Sequence, residues 1–319
     1  MYNRLLALFI HNIKLDKNII HFIGNNPGQE NNQGQTRDIF SDKWTEVEKL
    51  SDVDSLYQFQ YDWFLTLYGF KNEEAFATYL STKKVIFDTG CGLGYKAAWF
   101  AKLAPHAIVL GMDISNAVFL AANNFAHLPN LFFLQGDIAN TGLKENSIDF
   151  TVCDQVIMHT EVPENTFRHL AGLTREGGEF ACYVYRKKAL PRELVDDYFR
   201  KETHNIPADK MWEFSEQLTI LGKTLGELKV SFQCPDIPVL GIKGGEYDIQ
   251  RFIYWNFLKC FWKEDWSFDL NKSTNFDWYA PSNAKRFSKE AFENMIFENK
   301  LNVRFFHEEE ACYSGRFVK

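Results

Sequence analysis

A chain of 319 residues, 45% apolar and 24% charged, can build one large α/β domain with an elaboration, or two domains, around a buried core. Its formal net charge of −7 speaks against a nucleic-acid partner, whose affinity rests on clustered Lys and Arg facing phosphates. The six scattered cysteines form no CxxC and no Cys/His group at metal-ligand spacing, so no metal is expected and a reduced, cytoplasmic setting fits best.

In chain order, the N-terminal "LLALFI" is short for a signal-peptide core and far short of a membrane span, so no membrane contact is expected. Residues 24–37, "GNNPGQENNQGQTR", read as a polar loop, and residues 1–23 before it as a separate helix or an arm. Residues 53–80 look helical, which makes 1–82 an N-terminal arm and helical cap. A repeating unit starts at Val85. "VIFDTG" reads as a strand, "YKAAWFAKLA" as a helix, and "AIVLGMD" as a second strand of the continuous apolar kind found in buried parallel sheets. Ser115 stands where an N-cap is expected, before Val118, Ala121, Ala122 and Phe125 on one helical face. "LFFLQGD" and "IDFTVCDQV" are the third and fourth strands. A helix follows from Pro163, with Gly177-Gly178 as its stop, and "EFACYVY" is the fifth strand. This alternation predicts a doubly wound, mostly parallel α/β sheet with right-handed crossovers. The rhythm breaks over 187–285, which read as an inserted helical, aromatic-rich lid, and resumes over 286–319 with a helix from Ser288 and two short strands.

The turn "DTGCGLGY" after the first strand admits three chemistries. An aspartic protease needs two Asp-Thr/Ser-Gly turns sharing one proton, and this chain has one, inside a helix-rich pattern that contradicts a β fold. A dinucleotide fold needs G-x-G-x-x-G, but Gly90, Gly92 and Gly94 are G-x-G-x-G, and Tyr95 fills the third glycine's place. Asp113, ending the second strand, suits the ribose of any adenosine-type cofactor. The remaining candidate is S-adenosylmethionine (SAM), whose methionyl group must lie flat against backbone free of side chains.

"VIFDTGCGLG" resembles motif I of class I SAM-dependent methyltransferases. "GMDIS" resembles their acidic second-strand end, "GDI" at 136–138 their adenine-side turn, and "REGGEFACYVY" their turn into the fifth strand. The run from Asp154 to Phe180 is similar to the type-11 branch, related to quinone-biosynthesis methyltransferases. The resemblance covers about 83–186 well and the last two strands more weakly, and it implies a seven-stranded Rossmann-like core. It also implies that Asp88 and Gly90 contact the methionine part of SAM, with Gly92 and Gly94 giving backbone room. Asp113 would bind the ribose hydroxyls, Asp137 and Ile138 would flank the adenine, and Asp154 and Gln155 would face the methyl group.

His159, just past the fourth strand, is the candidate base, with Asp154 as the second catalytic candidate. The "DQVI" stretch lacks the Asp/Asn-Pro-Pro-aromatic pattern of base-amino methyltransferases, which with the acidic charge speaks against DNA or RNA amino groups, and a small-molecule acceptor methylated on O or N is expected. Trp255 and the polar residues Asp248, Gln250, Arg251 and Arg286 are the candidates for substrate contact in and beside the lid. A homo-oligomer is compatible with the sequence. Two alternatives stay open: an NAD(P)-dependent oxidoreductase, and a protein that binds SAM without catalysis.

Overall fold

The computed structural model describes residues 2–23, 31–50, 53–203 and 205–319. In chain order the first elements are α1 (Tyr2–Leu6), β1 (Ile13–Asp16), β2 (Ile19–Phe22), α2 (Asn31–Val47), α3 (Val53–Leu67) and α4 (Glu73–Leu80). The alternating stretch follows: β3 (Val85–Thr89), α5 (Tyr95–Leu103), β4 (Ile108–Asp113), α6 (Ala117–Asn124), β5 (Leu131–Gln135), β6 (Ile148–Cys153), α7 (Pro163–Leu173) and β7 (Thr174–Arg186). Then come α8 (Leu190–Thr203), α9 (Ala208–Glu227), β8 (Ser231–Cys234), β9 (Gly245–Asp248), α10 (Ile249–Asn256) and α11 (Phe268–Tyr279). The chain closes with β10 (Arg286–Phe287), α12 (Lys289–Glu298), β11 (Asn302–Glu308) and β12 (Cys312–Val318).

Two compact units divide the chain: 1–44, 57–186 and 285–319 in the larger, 45–56 and 187–284 in the smaller. In the larger unit the strands run in the order β1-β2-β5-β4-β3-β6-β7-β12-β11, with β10 beside β7. The contiguous β5-β4-β3-β6-β7 block is parallel, and β12 and β11 add antiparallel. These seven strands are the expected doubly wound α/β sheet. Every residue of β3, β4 and β6 is buried, because helices cover both faces of such a sheet, and the polar residues within β6, Asp149 and Thr151, are buried with the Val85 N–H and Thr174 as partners. From β3 the chain steps outward to β4 and β5, then returns to β6 on β3's other side. The strand order therefore reverses between β3 and β6, and ligands of open α/β sheets bind in the crevice at the carboxyl ends of such strands.

The structure departs from the sequence reading at three places outside the β4–α6 turn. Residues 13–22 form a hairpin that extends the sheet beside β5, where an arm was expected. Its turn is Lys17-Asn18; Lys17 has a φ of 54°, and buried Asn18 donates its side chain to the Ala122 carbonyl at 2.9 Å. Residues 31–37, read as loop, belong to α2, while 24–30 lie outside the described residues. The helix after Pro163 ends at Leu173, and β7 runs straight through Gly177-Gly178.

The smaller unit is helical apart from the β8–β9 hairpin. Helices α8, α9, α10 and α11 pack there around a polar centre. Arg192, 1% exposed, donates from Nε to Asp196 at 2.8 Å, and Asp196 also accepts the Tyr279 hydroxyl at 3.1 Å. Among the described residues no helix is long and apolar enough to cross a membrane. All six cysteines are buried thiols, and no group of His, Cys, Asp or Glu among the described residues is placed to hold a metal.

Candidate functional site

The switch point is bounded by the strand ends that the sequence singles out. Asp88, Asp113 and Asp154 stand at the carboxyl ends of β3, β4 and β6, all buried. The glycine turn between β3 and α5 is held against the neighbouring strand by Gly90 and Cys91 N–H groups, which donate to the Met112 carbonyl at 2.6 and 2.9 Å. Gly90 has a φ of 75°, and a Cβ there would fall 2.3 Å from Val156. Gly92, at a φ of 51°, faces the Trp44 ring, which a Cβ would meet at 2.8 Å. Two separate reasons thus require glycine at each: the left-handed backbone and the lack of room. Gly92→Ala is expected to cost roughly 1–3 kcal/mol from the backbone strain and to abolish binding of S-adenosylhomocysteine, read by thermal melting and calorimetry.

Asp113 is the best-organised of the three carboxylates. One oxygen accepts the Ser115 N–H at 2.8 Å and the Ser115 hydroxyl at 2.6 Å; the other accepts the Gly92 N–H at 2.8 Å. Burial pushes its pKa up, while these donors from Ser115 and Gly92 and the nearby Lys43 pull it back. Ser115 therefore serves the carboxylate. Asn116 is the N-cap residue of α6, and the Ser115 hydroxyl accepts no more than a long 3.4 Å contact from the Ala117 N–H.

Asp154 accepts Lys96 Nζ at 2.5 Å on one oxygen and the Tyr68 hydroxyl at 2.8 Å on the other. Gln155, at a φ of 64°, donates to Asp154 at 3.2 Å and to Gln60 at 3.0 Å. Asp88 is different: its Oδ2 has no hydrogen-bond partner, and burial pushes its pKa up to about 7. Lys96, Tyr68, Gln60 and Trp44 carry no motif of their own in the sequence. Lys96 alone left a signal there, as a basic residue in the first turn of a helix.

The remaining candidates fall as follows. Asp137 accepts the Ala139 N–H at 2.8 Å, closing the turn after β5, and Ile138 beside it is buried. His159 is 5% exposed, with the Phe40 ring edge-on at a centroid distance of 5.1 Å and the Tyr185 hydroxyl 3.5 Å from Nε2. Arg286 belongs to β10 of the larger unit, in register with Tyr185. Asp248, Arg251 and Trp255 belong to the smaller unit. Asp248 caps α10 by accepting the Arg251 N–H at 3.1 Å, and Arg251 donates to the Trp262 carbonyl at 3.2 Å. Trp255 lies under Lys188, whose ammonium is 5.2 Å from the ring centroid, and Gln250 donates to the Cys260 carbonyl at 2.8 Å.

The residues fit an adenosine-type sulfonium cofactor on one structural ground: a buried carboxylate oxygen, Asp88 Oδ2, has no hydrogen-bond partner among the described residues. The space beside Gly90 and Gly92 is taken by the Val156 and Trp44 side chains. Tyr95 separates this site from a dinucleotide fold. Its ring is stacked on Tyr57 at a centroid distance of 3.4 Å, where the third glycine of that fold would allow close helix packing.

Residues 87–182, which contain the glycine turn and all three carboxylates, match the protein family described as a methyltransferase domain, type 11. This stretch is a methyltransferase domain. Among curated proteins, trans-aconitate 2-methyltransferase of Deinococcus radiodurans is 49% identical over 103 residues, which is 31% of this chain and 37% of that protein. An uncharacterized methyltransferase of Mycobacterium tuberculosis is 28% identical over 109 residues, 34% of this chain and 54% of that one. The likeness thus spans about a third to a half of the length of these relatives. Among solved structures, magnesium protoporphyrin IX methyltransferase of Synechocystis, with S-adenosylhomocysteine bound, aligns with 90% of this chain and 99% of its own at 16% identity and a TM-score of 0.48. The family match over 87–182 lies within the larger unit.

Proposed function

We propose that the protein is a SAM-dependent methyltransferase that moves a methyl group to an oxygen or nitrogen of a small molecule. The observation that carries this reading is the buried Asp113 carboxylate, fixed by three short hydrogen bonds at the end of β4 beside a glycine turn that admits no side chain. When bound, SAM supplies a methyl group on a sulfonium, and displacement from it is in-line, so alignment accounts for much of the rate. Asp113 would hold the ribose hydroxyls, with Asp137 and Ile138 at the adenine and Asp88 and the turn at the methionyl end. Gln155, held in a left-handed conformation by Gln60 and Asp154, would face the reacting methyl group. His159 lies past β6 at the same edge, and its imidazole is the group to take a proton from the acceptor.

The test is incubation of the purified protein with methyl-labelled SAM and a fractionated extract of the host cell. Label is expected in the small-molecule fraction. Label in protein would overturn the small-molecule reading, and failure to bind S-adenosylhomocysteine would overturn the function as a whole. His159→Ala should lower turnover about 10²–10⁴-fold if the imidazole is the base, with S-adenosylhomocysteine affinity unchanged. Full turnover in that variant would remove His159 from the mechanism.

A further inference from the structure

We propose that Lys96 is a positioning residue of the methionyl pocket, neutralising Asp154 so that the unpartnered oxygen of Asp88 is left to receive the cationic end of the cofactor. This rests on the reading that SAM binds at the glycine turn. Three buried carboxylates end adjacent strands, and the structure treats them differently. Asp113 is satisfied by Ser115 and the Gly92 N–H from its own surroundings. Asp154 takes a full counter-charge from Lys96 and a neutral donor from Tyr68. Asp88 Oδ2 has no partner among the described residues, and the Ala97 N–H is the backbone donor to this carboxyl.

The location of Lys96 is itself informative. It is the second residue of α5, whose first turn holds no acidic residue. A cation there faces the positive end of the helix dipole and is unfavourable for the helix, so helix stability does not explain the residue. A rule broken locally in this way marks a residue placed for a site. Charge accounting agrees. Asp88, Asp154 and Lys96 sum to one negative charge. The methionyl end of SAM, with its ammonium, sulfonium and carboxylate, sums to one positive charge.

The electrostatics follow from the same contacts. Burial pushes the Asp88 carboxyl up to about 7; Lys96 on α5 draws it down, and Asp154 and Asp113 on the flanking strands push it up. Burial disfavours the Lys96 charge, but Asp154 and Asp88 outweigh that and hold its pKa above the ordinary lysine value. Burial also raises the Tyr68 phenol and the Cys91 and Cys182 thiols well above their usual ranges, so these neighbours stay neutral. Asp88 must be ionised to pair with an ammonium. Affinity for the cofactor should therefore rise with pH through about 7, the value at which Asp88 loses its proton.

The experiment is calorimetric titration with S-adenosylhomocysteine between about pH 6 and 8.5 for the wild type, K96M, K96R, D154N and K96M/D154N. Losing Lys96 should move the midpoint up by about one unit or more and cut affinity at pH 7 about tenfold, whereas K96R should keep the wild-type profile. D154N should move the midpoint down, since Lys96 is then released to Asp88. The double variant should return it toward the wild type. A merely structural lysine would alter melting temperature and leave the midpoint in place. Should K96M fail to fold, D154N carries the test alone, and an unshifted midpoint there overturns the proposal. Absence of binding in the wild type at every pH would instead strike at the proposed function on which this rests.

Discussion

Asp113→Ala is expected to remove S-adenosylhomocysteine binding almost entirely, with a loss on the order of a hundredfold or more. Two effects combine. The variant deletes the carboxylate proposed to accept the ribose hydroxyls, and hydrogen bonds to a charged group each contribute about 1.5–3 kcal/mol. It also orphans the buried Gly92 and Ser115 N–H donors, which Asp113 holds at 2.8 Å each, so the glycine turn loses its anchor. Asp113→Asn separates the two effects. The amide oxygen still accepts from Ser115, and its NH2 faces the Gly92 N–H donor and the ribose position without an accepting lone pair. Calorimetry on both variants should rank wild type above Asn above Ala. An Ala variant that binds with wild-type affinity would place the cofactor elsewhere and dissolve the assignment of the whole crevice.

What was legible in the sequence follows from which forces leave a local trace. The runs at Val85, Ile108 and Leu131 declare themselves because strands buried on both faces need near-continuous apolar residues, and Asp88 and Asp113 stand out as charges terminating such runs; the run at Ile148 is interrupted by Asp149 and Thr151, which are buried against the Val85 N–H and Thr174. Helix α2 leaves no such trace. Its buried residues Gln33, Thr36, Ile39, Lys43 and Val47 recur at intervals of three or four, but three of the five are polar, so a hydrophobic pattern never forms. The β1–β2 hairpin hides for a related reason, since its Lys-Asn turn lacks glycine and Asn18 works through a partner 104 residues away. The Lys96–Asp154 and Tyr68–Asp154 contacts span 58 and 86 residues, and no local rule reports pairs at that distance. Motif residues were thus visible one by one, whereas the charge pairing that differentiates them needed the fold.

The smaller unit offers the largest expected effect on stability. Asp196→Ala is predicted to destabilise it by about 3–5 kcal/mol, the range for leaving a buried charge without its partner. Arg192 and Asp196 are 1% and 0% exposed, and the guanidinium has no route to water. It is packed over the rings of Tyr254 and Trp278, with centroids 5.5 and 5.2 Å away, and donates to the Tyr254 carbonyl. These groups stabilise a cation but do not neutralise it. Removing Asp196 also strands the Tyr279 hydroxyl, which donates to the second carboxylate oxygen at 3.1 Å. Burial and the adjoining Asp196 charge raise the Tyr279 phenol, so it remains a neutral donor in the wild type. The control is Arg192→Met/Asp196→Ala, which removes both charges while keeping most of the arginine's apolar volume. Urea unfolding should show the double variant more stable than Asp196→Ala alone, because an apolar replacement of both partners avoids the unpaired charge. If the two substitutions simply add, the pair contributes through packing, and the ion pair is not what holds α8 against α10 and α11.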